Sequence, residues 1–88
     1  AYRIGFVQEV VPVGKQLERA LEIAAVIAAQ APLAVQATKA SSRRFVEEGF
    51  AAAVRELGPT QQRLMASEDA NEGVQSFIER RTAVFKGV

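Results

Sequence analysis

Histidine and cysteine are both absent from the chain, and each absence closes a branch of chemistry. Without histidine, no side chain has an unperturbed pKa near neutrality, and the commonest general base is gone. Without cysteine there is no disulfide, no thiolate nucleophile, no redox sensor and no cysteine-based structural zinc site. Any chemistry rests on carboxylates, hydroxyls, lysines and arginines. No stretch reaches the roughly 18–20 consecutive apolar residues that a bilayer crossing needs, and the start lacks a basic segment followed by an apolar one. A cytoplasmic chain with no membrane partner is therefore expected. Strong charge is lacking too: 11 basic against 10 acidic residues leave +1, too little to steer nucleic acid or another polyanion toward the surface.

What remains is an ordinary globular composition, 49% hydrophobic and 24% charged over 88 residues, with room for one small domain and no second core. A chain this short buries only about 60–70% of the surface its unfolded form exposes, so it needs help to be stable. It starts at Ala1 rather than methionine, which reads as processing or as a piece of something longer.

Along the chain, Ile4, Phe6, Val7, Val10 and Val11 form a β-prone run bounded by Gly5 and Pro12, which predicts a short extended segment at the N-terminus. If Gly5 to Val11 is a strand, its partner must come from outside this chain. Beyond Gly14, Leu17, Leu21, Ala24, Ala28 and Ala31 recur at helical spacing until Pro32. Every residue from Ile23 to Ala29 is apolar, and a helix apolar all round must be covered all round. Pro32 suits the first turn of a second helix, which carries Leu33, Ala34, Ala37, Ser41 and Phe45 on one face and runs toward Gly49. Phe50 to Leu57 is helical again, and Gly58-Pro59 predicts a break or sharp kink, because the proline loses one ladder bond and crowds the carbonyl near Arg55. The helix resumes from Thr60 to Ala66.

A last helix follows Ser67, where Ser67 or Asp69 can cap and Glu68, Asp69 and Glu72 suit the positive end of the dipole. Asp69 and Glu72 have capping-box spacing. Ala70, Val74, Phe77, Ile78 and Arg81 share one stripe, with Asn71, Gln75 and Glu79 opposite, and the tail Thr82 to Val88 reads as an ordered arm because it keeps Phe85.

The carboxylate groups Glu47-Glu48 and Glu68-Asp69-Glu72 are better explained by capping and the dipole than by catalysis or metal binding. The doublets Arg43-Arg44 and Arg80-Arg81 are interleaved with acids and read as solvated or interface pairs, not a nucleic-acid stripe. Phe77 and Arg80 stand three apart, so their side chains are neighbours. A ring beside a guanidinium can stack on a nucleobase and hold a phosphate together. A phenylalanine on an apolar stripe is more often core, and spacing alone does not decide.

The run Gly5-Phe6-Val7-Gln8-Glu9-Val10-Val11-Pro12, then Ala31-Pro32-Leu33-Ala34-Val35, then the block from Ser67-Glu68-Asp69 to Glu79-Arg80-Arg81 with Phe85-Lys86-Gly87 after it resembles the C-terminal part of the enoyl-CoA hydratase/isomerase (crotonase) family. The resemblance spans nearly the whole chain in order. It implies an all-α fold for this chain, a small helical domain of three to four helices with a short extended N-terminal segment. Residues 1–12 would lead in from a preceding crotonase α/β domain absent from this chain, and residues 13–88 would form a C-terminal helical oligomerisation domain. For the parent it implies hydration or isomerisation of enoyl-CoA thioesters, with coenzyme A thioester as substrate, no tightly bound cofactor and no metal, and assembly into trimers or hexamers. The family's oxyanion hole and catalytic carboxylates lie in the earlier domain, so no catalytic residue is assigned here. What the resemblance places in this chain is an aromatic and a basic residue near the adenine and phosphates of coenzyme A bound to a neighbouring subunit, at Phe77 and Arg80. The family often has lysine at Arg80, usually runs a continuous helix through Gly58-Pro59, and in some members carries an apolar ring at Gln61. Two rival readings are a free-standing helical interaction module and a small nucleic-acid binder, the latter opposed by the mixed charge.

Overall fold

The computed structural model describes all of residues 1–88. Its β-prone N-terminal run forms no strand. Local turns take up the backbone instead: the N–H of Gly5 donates to the Tyr2 carbonyl at 3.1 Å and that of Phe6 to the Ala1 carbonyl at 3.0 Å. An isolated strand would leave its donors and acceptors unpaired, so local closure wins where no neighbouring strand is available. Further along, Glu9 accepts two bonds from Arg19 Nε at 2.9 and 3.1 Å, tying this segment to the first helix.

That helix, α1 (Gln16–Ala28), is exposed along its whole length. The all-apolar stretch Ile23 to Ala29 calls for cover that this chain does not supply. The chain then bends by 109° into α2 (Pro32–Glu48), with Pro32 in the first turn as its missing N–H favours. No single helix is long and apolar enough to cross a membrane.

Helix α2 folds back on α3 (Phe50–Met65) through the single residue Gly49. Gly49 has φ 90° and ψ 176°, a region open essentially to glycine alone, and this permits a one-residue joint between two helices. The two helices run side by side. Leu33, Ala37 and Ala40 share a groove with Thr60 and Leu64 near the open end, and Ser41 and Phe45 share one with Phe50, Ala53 and Leu57 near the joint. Of the break or sharp kink expected at Gly58-Pro59, the break does not occur: α3 runs through Pro59. The residue before a proline is pushed out of the helical region partly by its own Cβ, and Gly58 has none. Packing of α3 on α2 then holds the helix together past the lost ladder bond.

Ser67 caps α4 (Glu68–Glu79): its Oγ accepts from the Ala70 N–H at 3.1 Å and donates to the Leu64 carbonyl at 2.6 Å, so one hydroxyl joins the end of α3 to the start of α4. The Asp69–Glu72 capping box does not form, since both carboxylates are committed to the tail. Helix α4 closes in a Schellman turn, with the Arg80 N–H on the Phe77 carbonyl (3.3 Å) and the Arg81 N–H on the Ser76 carbonyl (3.0 Å). The tail then returns along α4 as an ordered arm.

This body does not seal itself. Only Ala53, Asp69 and Ser76 are buried. Its accessible surface is 7472 Å², against about 5,000 Å² for a folded monomer of this mass. The radius of gyration is 16.5 Å, against about 12 Å for a compact chain of this length. At 44 × 38 × 18 Å it is a plate, with Phe45, Val46, Phe50, Val54 and Leu57 left open on one face.

Candidate functional site

The residues of interest converge on α4 and its returning arm. Asp69, in the first turn, is 4% exposed. Its Oδ1 accepts the Lys86 N–H and its Oδ2 the Gly87 N–H, both at 2.8 Å, and its own N–H donates to the Val88 carbonyl at 2.9 Å. One turn on, Glu72 accepts the Val84 N–H at 2.9 Å and takes a two-pronged grip from Arg81, Nη1 to Oε1 at 2.5 Å and Nη2 to Oε2 at 2.9 Å. Two acids on one helix face thus hold three backbone N–H groups of the arm. Phe85 lies over Gly73, and Gly87, at φ 79°, comes so close to Pro32 that a side chain there would sit 3.5 Å from its ring. The arm joins α4 to the start of α2.

The electrostatics follow from these contacts. The Arg81 guanidinium, with help from the Val84 N–H, holds the Glu72 carboxyl at about 2, well below the usual range. Glu79 is also lowered, first by the Gln75 amide and then by Arg81. Arg81 is raised in turn by both carboxylates. The doublet Arg80-Arg81 therefore divides: Arg81 is committed to Glu72 and Glu79, whereas the exposed Arg80 side chain forms no hydrogen bond or ion pair.

The face that α4 buries is not the apolar one. Asp69, Gly73 and Ser76 turn toward the arm, while Val74, Phe77 and Ile78 face outward. Phe77 is 85% exposed, so in this chain it is not a core residue. Phe77 lies in the last turn of α4 and Arg80 in the left-handed cap that ends it, an open ring and an unpaired cation at the same end of the helix. Gln61 lines a separate groove with Ala34, Leu64 and Met65. Sequence reasoning missed the arm-holding role of Asp69 and Glu72, for which the only available signal was a buried-type arm sequence following two acids one turn apart. Arg44 pairs with Glu48 at 3.6 Å, as expected for an interleaved charge pattern. No three carboxylates gather in a way that would hold a metal ion.

Four helices, an open apolar face and a C-terminal arm clasped to α4 make up the described chain. The family model for enoyl-CoA hydratase/isomerase matches residues 1–88, and the chain belongs to that family. Among curated relatives, the 2,3-dehydroadipyl-CoA hydratase of Escherichia coli is 37% identical over 87 residues, covering 99% of this chain and 34% of that protein. Among solved structures, a Mycobacterium abscessus protein described as a "probable enoyl-CoA hydratase/isomerase" superposes with a TM-score of 0.96 at 55% identity, covering 100% of this chain and 34% of its own. The enoyl-CoA hydratase of Bacillus anthracis superposes at 0.90 with 32% identity, again covering 100% of this chain and 34% of its own. The chain spans about a third of the length of the relatives it matches.

Proposed function

We propose that this chain is the helical third of an enoyl-CoA hydratase/isomerase that adds water across, or shifts, the double bond of a 2-enoyl thioester of coenzyme A. In this reading the chain serves subunit assembly into trimers or hexamers and forms one wall of a coenzyme A site. The chemical groups that stabilise the thioester enolate and move protons belong to the other two thirds, and no residue of this chain is catalytic. No tightly bound cofactor takes part; the coenzyme A thioester is the substrate.

The observation that carries the reading is the surface of α4. Phe77 offers a ring to stack on adenine, and Arg80 offers a charge that no carboxylate neutralises. Both lie outside any core of this chain, as residues that meet a neighbouring subunit's ligand must. The large unsealed surface of α1 and of the α2–α3 hairpin supports the assembly role in the same way. A free-standing interaction module would use that apolar surface equally, and the two readings part on the nucleotide contact tested below.

The test is Arg80→Ala in the full-length protein. The Michaelis constant for the enoyl-CoA substrate is expected to rise several-fold with little change in kcat, because the lost contact serves the nucleotide in ground and transition states alike. An unchanged Michaelis constant removes Arg80 from the site.

A further inference from the structure

Arg80 is the one non-glycine residue with positive φ, at φ 54° and ψ 44°. An L-residue in that conformation is strained, and it persists only where its surroundings over-determine it. Here they do. The two Schellman bonds fix the backbone on either side of Arg80. The next side chain, Arg81, is pinned by the fork on Glu72 and by Nε on Glu79 Oε2 at 2.6 Å. Glu72 is steadied from its other side by the Val84 N–H, and Glu79 by Gln75 Nε2 at 2.6 Å. Glu72 and Glu79, the acids of α4 that flank this end, are thereby occupied, and the Arg80 side chain forms no hydrogen bond or ion pair.

We propose that Glu72 and Arg81 are positioning residues: their pair fixes the chain reversal that presents Arg80 and keeps the nearby carboxylates off it, leaving its charge for an anionic group of the ligand. The inference rests on the reading that Arg80 meets a coenzyme A phosphate. It adds that the binding strength of Arg80 is set by a second pair that never touches the ligand.

The experiment measures the dissociation constant of free coenzyme A by calorimetry on the full-length protein, in a double-mutant cycle. Glu72→Gln keeps an acceptor for Val84 but drops the charge that holds Arg81, and is expected to weaken binding about fivefold. Arg81→Gln removes the same pair from its exposed partner and serves if Glu72→Gln does not fold. In the Arg80→Ala background neither change should weaken binding further; a purely structural role would weaken it equally in both backgrounds, and that result overturns the proposal. So does unaltered binding in Glu72→Gln or Arg81→Gln when Arg80→Ala alone weakens it. If Arg80→Ala itself leaves binding unchanged, the underlying reading of Arg80 fails, and this proposal with it.

Discussion

Asp69→Asn replaces a buried carboxylate by an amide of the same shape, and the geometry around it sets the expected loss. Asp69 accepts two backbone N–H bonds from the arm at 2.8 Å, one on each oxygen. Asparagine keeps one acceptor and turns an NH2 toward the other amide, so one bond is replaced by two opposed donors and the second falls from a charged to a neutral acceptor. Hydrogen bonds to a charged group contribute about 1.5–3 kcal/mol each, against about 1 kcal/mol for a neutral one, so a loss of about 3 kcal/mol is expected in the docking of the arm. At about 1.4 kcal/mol per factor of ten, the amides of Lys86 and Gly87 should exchange with deuterium about a hundredfold faster. The assay is hydrogen exchange on the full-length protein. The effect is local, because the Val84 bond to Glu72 and the seat of Phe85 on Gly73 remain. Unchanged protection at Lys86 and Gly87 would refute the reasoning, as would a loss spread evenly over α2 and α3.

Pro59→Ala restores a donor for the Arg55 carbonyl inside a continuous α3, and should raise the melting temperature through a gain of about 1–3 kcal/mol; an unchanged or lower value would mean that the proline is not costing the helix a bond. Gly49→Ala meets no neighbouring atom, so its penalty is conformational alone, about 1–3 kcal/mol in a denaturant titration. Acid should loosen the arm at Val84 in a defined window: Glu72 titrates at about 2 when folded, against 4.5 for the free group. Its contribution is present above 4.5 and is lost as pH falls from there through about 2, and Val84 amide exchange measured across that range should follow it. In Glu72→Gln that acid dependence should disappear.

Much of the fold was legible in the residues, and the misses share one cause. Helix limits at Pro32 and Gly49, and the start of α4 after Ser67, came from φ preferences and from polar groups able to meet unpaired N–H donors, which are local properties. The run from Gly5 to Val11 forms no strand within this chain, as its lack of an internal partner implied: pairing is not local, and β-branched residues settle for turns and open backbone when no other strand lies alongside. Of the break or sharp kink expected at Pro59, the break is absent because propensity was overruled by the packing of α3 along α2. The capping box at Asp69 and Glu72 failed for a related reason: both acids found donors from residues 12 to 18 positions away, at a distance that spacing rules do not reach. Phe77 and Arg80 were expected as helical neighbours from their spacing, which placed Arg80 inside the helix rather than in its left-handed cap, and nothing in the spacing told which arginine of the doublet would be free.

The sequence by itself determined the all-helical class, the chemistry excluded by the missing histidine and cysteine, and the family, since each rests on residue type and order. Only the tertiary structure decided which faces are closed. It turned the small, polar side of α4 inward against the arm and its apolar side outward, and it gave Glu72 to Arg81 rather than to Arg80. Those outcomes depend on which distant groups arrive beside each side chain, and a one-dimensional pattern carries no record of that.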